Sequence, residues 1–128
     1  MNGARALRIA VAIACVVPIT AGGAGVLLGP VMVAIHTSPI GADSHYRYLS
    51  GLLLGIGILF LTTLPRIETA TARFRLLAMI VVIGGLSRLA GALLTMTSDL
   101  SSLLALVMEL GVTPALVLWQ ARVAAHHR

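Results

Sequence analysis

Six residues of this 128-residue chain have types and spacings that acid/base, metal or ligand chemistry uses. Asp43, His45, Arg47 and Ser50 fall close together, and Arg88 and Glu109 stand further on, each inside an apolar run. Glu109 and His45 are groups that move protons. Asp43-x-His45 together with His36 offers metal-ligand types, but as two or three loose donors without the fixed spacing of a recognised site. No zinc-protease helix motif, glycine-rich phosphate loop or serine elbow occurs. No catalytic residue, metal or cofactor is therefore assigned, and a binding protein is preferred to an enzyme.

Those residues need a membrane to position them. Hydrophobic residues make up 59% of the chain and charged residues 10%, with a mean hydropathy of +1.03, whereas soluble domains run near a quarter charged. A water-soluble fold of this size leaves too much surface exposed to hide that much apolar side chain. The net charge of +5 and the isoelectric point near 11.2 do not imply nucleic acid, because the arginines flank apolar runs and so read as topology determinants. Lysine is absent, for which there is no physical account. The single cysteine, Cys15, excludes an internal disulfide and reads as a packing residue.

Four apolar runs, at about 7–28, 46–64, 74–95 and 102–120, predict an all-α bundle of four transmembrane helices in one membrane domain, 1–128. The first run follows Arg5 and Arg8 but is too long for a signal-peptide core. Pro18 predicts a bend in it. Val31 to Ile35, too short to span, is expected at the interface, and His126 and His127 read as a solvated tail. Arg5, Arg8, Arg66, Arg73, Arg75, Arg122 and Arg128 fall on one side of the predicted membrane and Arg47 on the other. By the positive-inside rule both termini are cytoplasmic in a multi-pass cell-membrane protein. Gly25, Gly29, Gly51, Gly55, Gly84 and Gly91 are candidate close-packing positions, within the chain or against a partner subunit or second copy.

Arg88 lies seven residues before the end of its run and Glu109 seven after the start of the next. At 1.5 Å per residue both sit about 10 Å below one boundary. An ionised side chain at such depth seeks a partner, so an Arg88–Glu109 ion pair is expected. With Asp43, His45, Arg47 and Ser50 approaching the same leaflet, these residues outline an outward-opening polar pocket. Four readings stay open on the sequence: a bridge that only fixes helix register, a pocket for a small or lipid-derived ligand, a proton or ion path, and a membrane enzyme using Glu109 as acid or base. Membrane lipids are the assured partners, and a small ligand, a homo-oligomer or a partner subunit are the others considered.

The segments Asp43-Ser44-His45-Tyr46-Arg47-Tyr48-Leu49-Ser50-Gly51, Gly84-Gly85-Leu86-Ser87-Arg88-Leu89 and Glu109-Leu110-Gly111-Val112-Thr113-Pro114, with Trp119-Gln120 closing the match, resemble the bacterial four-helix membrane family catalogued as domain of unknown function 4345. The resemblance implies a four-helix fold and marks Arg47, Arg88 and Glu109, without implying an activity. A looser likeness, in architecture alone, is to the DoxX-like membrane proteins.

Overall fold

The computed structural model describes residues 3–30, 40–96 and 98–127. The described chain is helical without strands: α1 (Gly3–Leu28), α2 (Ile40–Leu61), α3 (Thr71–Thr95), α4 (Leu100–Leu106) and α5 (Thr113–His127), with a π-helical turn, Val107–Val112, joining the last two. Four stretches are long and apolar enough to cross a membrane: Gly3–Leu28, Gly41–Arg66, Thr71–Thr95 and Leu100–His127. All four expected spans are present, but most helix ends lie outside the expected limits. Helices of 25 to 28 residues extend about 38–42 Å, more than the roughly 30 Å of a hydrocarbon core. Hydropathy marks where lipid ends, and the backbone remains helical beyond that point. Asp43, expected in a connection, consequently lies in the first turn of α2. The interfacial reading of Val31 to Ile35 falls outside the described residues.

Local chemistry explains the ends that are seen. Gly29, with φ +66°, stops α1 in the left-handed conformation that glycine adopts without penalty. Pro65 lies in a short 3-10 turn, Leu64–Arg66, after α2. The carboxylate of Asp99 caps α4 by accepting from the Ser102 N–H and from the Ser101 and Ser102 hydroxyls. Pro18 lies inside α1, and the helix runs through it without interruption.

The chain forms two compact units, one of residues 10–64 and one of residues 1–9 with 65–128. In the first, glycines from both helices let α1 and α2 approach. A Cβ on Gly22 would lie 2.6 Å from the Leu54 nitrogen and 2.8 Å from the Ser50 carbonyl oxygen, and one on Gly57 would lie 2.8 Å from Ile19 Cγ1. The Ser50 side chain fills the notch at Gly25. With little hydrophobic drive between helices in lipid, such close approach is the main source of attraction.

The second unit packs Leu7, Ile67, Phe74, Leu77, Ala78 and Ala124 at the end where α1 and α3 begin. Phe74, Ala78 and Gly85 follow one another at four and seven residues, so they form one stripe on α3. Many other apolar side chains remain exposed, among them Ile13, Leu27, Leu94 and Leu118. Lipid is the solvent for which that surface is suited.

Candidate functional site

Arg88 and Glu109 meet within the second unit. Arg88 Nε donates to Glu109 Oε2 and Nη2 to Oε1, both at 3.1 Å, giving the two-pronged guanidinium–carboxylate geometry. Glu109 is held on the π-helical turn Val107–Val112, whose local cause is Pro114. Proline has no N–H to return to the carbonyl four residues back, and its ring crowds that carbonyl. Thr113 instead sends its N–H five residues back to the Met108 carbonyl, and its hydroxyl donates to the same oxygen at 2.9 Å. Such turns interrupt regular helices and occur often at functional positions.

The approach of the two helices is set by Gly85. A Cβ there would sit 2.8 Å from Glu109 Cβ and 2.9 Å from Leu110 Cδ2. The pair is unevenly covered: the Glu109 side chain is 18% exposed and that of Arg88 44%. Nη1 of Arg88 has no acceptor among the described residues. Arg88 lies seven residues from the end of α3, inside a stretch long and apolar enough to cross a membrane.

The expected pocket residues fall in both units: Asp43, His45, Arg47 and Ser50 in one, Arg88 and Glu109 in the other. Arg47 and Asp43 are together, with Nε donating to Oδ2 at 3.0 Å. Arg47 Nη1 also donates to the last carbonyls of α1, those of Val26 at 2.7 Å and Leu27 at 3.2 Å. A cation at the negative end of the helix dipole completes the cap that Gly29 begins. His45 is exposed, about 160° around α2 from both Asp43 and Arg47 at 100° per residue, and does not join them. Ser50 is buried against Gly25.

Among the glycines singled out from the sequence, Gly51 makes an ordinary contact with Val26, and a Cβ at Gly55, Gly84 or Gly91 would meet nothing within 4 Å among the described residues. The tightest approaches besides Gly25 and Gly29 use Gly22, Gly57 and Gly85. Of the Gly84-Gly85 pair, phase with Phe74 and Ala78 was the signal that selects Gly85.

Sequence reasoning also passed over Gln120 as a site residue. Its side chain is fully buried, with Nε2 donating at 2.9 Å to both the Ile67 carbonyl and Thr71 Oγ1, and Oε1 without a partner among the described residues. A polar residue in the phase of Ala124 on α5 was the available signal. Arg8 pairs with Glu68 at 2.6 Å and donates to the Pro65 carbonyl, tying the loop after α2. No group of three or more His, Cys, Asp or Glu able to hold a metal forms among the described residues, and His36 lies outside them.

A family model described as "Domain of unknown function (DUF4345)" matches residues 6–120. No curated protein and no solved structure matches the chain.

Proposed function

Because the chain belongs to the DUF4345 family, a domain of unknown function, and has four helices long and apolar enough to cross a membrane, its role must be argued from the site, and we propose that it is a non-enzymatic protein binding a small polar or lipid-derived ligand at Arg88 and Glu109. The observation that carries this reading is the uneven cover of the pair. Within a span, Arg88 keeps a donor edge open although Glu109 already takes its other edge. A bridge serving only to fix register has no use for an unsatisfied donor facing hydrocarbon, where such groups are costly. An amphiphile bringing an oxygen acceptor from the lipid phase satisfies it.

The test is a lipid and small-molecule inventory by native mass spectrometry on the parent and on Arg88→Leu/Glu109→Leu. A double variant that folds and loses a co-purifying species supports the proposal, and one that retains every species of the parent refutes it. A partner-subunit reading is favoured by Gly84 and Gly91, which bracket Arg88 on α3 and face open space. In that case the acceptor comes from another chain, and crosslinking through this face replaces the lost lipid. Catalysis by Glu109 is the weaker alternative, since both of its oxygens are taken by Arg88. The proposal includes cytoplasmic termini. Reporter fusions should then give a cytoplasmic signal at Thr69 and an outward one at Asp99, and the reverse pattern overturns that orientation.

A further inference from the structure

Three of the four acids are used to neutralise arginines, in the pairs Asp43–Arg47, Glu68–Arg8 and Glu109–Arg88, and the fourth caps α4. Arg5, Arg66, Arg73, Arg75 and Arg122 are all exposed and form no ion pair among the described residues. All five belong to the same compact unit and gather around its well-packed end. Beside this basic surface lies a groove of about 300 Å³ between the first turns of α3 and the last turns of α5. Its lining is Thr71, Arg75, Ala121, Ala124 and Ala125.

The lining is asymmetric in its chemistry. Arg75, one turn after Thr71, falls on the same helix face. Thr71 Oγ1 accepts from the fully buried Gln120, so the threonine O–H remains available to donate. Three alanines form the other wall and leave the groove open. No carboxylate lines it among the described residues, so its two polar side chains offer donors to an anion. The volume is near the lower end for a small-molecule site, too large for a bare ion and adequate for a compact headgroup. Thr71 is the first residue of a stretch long and apolar enough to cross a membrane, and the ends of such stretches are where headgroup phosphates are met.

We propose that this groove binds the headgroup phosphate of an anionic phospholipid, held by the Arg75 guanidinium and the Thr71 hydroxyl against the alanine wall of α5. The other four arginines raise the local concentration of anionic lipid without entering the site. This site is independent of Arg88 and Glu109.

The experiment reconstitutes the full chain in bilayers of equal phosphatidylcholine and phosphatidylglycerol and counts retained lipids by native mass spectrometry. Arg75→Gln should lower retention of phosphatidylglycerol about tenfold, the scale of one hydrogen bond to a charged group. Ala121→Leu should lower it as strongly by filling the groove with every arginine intact. Thr71→Ser should keep the lipid, and Arg66→Gln, outside the groove, should leave retention within about twofold. Equal losses from Arg66→Gln and Arg75→Gln would mean diffuse attraction and overturn the site, as would full retention by Ala121→Leu. A parallel titration with inorganic phosphate and glycerol phosphate separates the sources. Saturable binding of either that depends on Arg75, with no preference for phosphatidylglycerol in the bilayer, overturns the lipid assignment.

Discussion

Arg47 and Arg88 each hold a carboxylate, but Asp43 lies four residues before Arg47 on its own helix, whereas Glu109 lies 21 residues after Arg88, beyond a turn. The first pair follows from helix geometry alone, in the favourable order with the acid N-terminal. Its guanidinium then spends further donors on the end of α1. The second pair needs Gly85 to bring the helices together and the π-helical turn to aim the acid. It still leaves one donor edge of Arg88 without an acceptor among the described residues. A charge whose partners are backbone carbonyls and a near neighbour serves the architecture, and the proposed ligand site rests instead on a charge that depends on several special features and keeps a donor edge open.

The comparison is broken most directly at Arg88. Arg88→Leu or Glu109→Leu should each destabilise the protein in detergent toward the lower end of about 3–5 kcal/mol, by stranding the other charge. The double replacement should recover most of that loss, and a double-mutant cycle without coupling would reduce the pair to a surface contact. Next in size are the close approaches. Gly22→Ala and Gly85→Ala should each cost about 1–3 kcal/mol in thermal or denaturant unfolding, since backbone or Cβ atoms already occupy the space. Gly55→Ala and Gly91→Ala should be neutral or stabilising by up to about 1 kcal/mol. Destabilisation at Gly91 that depends on protein concentration would identify a second copy on that face.

Smaller effects sharpen the other side of the comparison. Arg47→Leu should cost about 1–2 kcal/mol, as expected for partly exposed bonds to carbonyls, and Gly29→Ala a similar amount through its positive φ. Because both act on one cap, the double variant should lose less than the sum. An additive result would show that Arg47 acts elsewhere. Smallest is Asp99→Ala, which removes a helix cap and should lower the midpoint of unfolding less than any destabilising variant above. Hydrogen bonds from the Ser101 hydroxyl first, then from the Ser102 hydroxyl and N–H, hold the Asp99 carboxyl well below its ordinary 3.8. A depressed folded value means that the cap's contribution is complete above pH 3.8 and is lost only as pH falls through the lower folded value. Circular dichroism should show no loss of helix attributable to this cap on acidification to about pH 4.

The spans were legible because about 20 apolar residues have few other uses, and the Arg88–Glu109 pair was legible because depth along two consecutive helices can be counted. What each helix turns toward its neighbour was harder to see. Asp43, His45 and Arg47 are adjacent in sequence, but a helical pitch of 100° per residue removes His45 from the other two. Gly84 and Gly85 are equivalent in composition and differ only in phase. Gln120 sits near the last apolar residues, where polarity reads as an exit from the membrane; its burial depends on Ile67 and Thr71, 53 and 49 residues away. The capping role of Arg47 depends likewise on where α1 ends, which hydropathy does not mark.

The π-helical turn has a consequence for everything after it. In an uninterrupted α-helix, residues 109 and 120 would point within about 20° of each other, since eleven steps of 100° return almost to the start. One extra residue in the turn shifts that phase by roughly 100°, so Glu109 and Gln120 leave the fourth span in different directions. One faces Arg88, and the other faces Ile67 and Thr71. The turn works as a phase offset between two polar contacts. Removing a single residue from Val107–Val112, with no change in hydropathy worth noticing, would set the two contacts against each other.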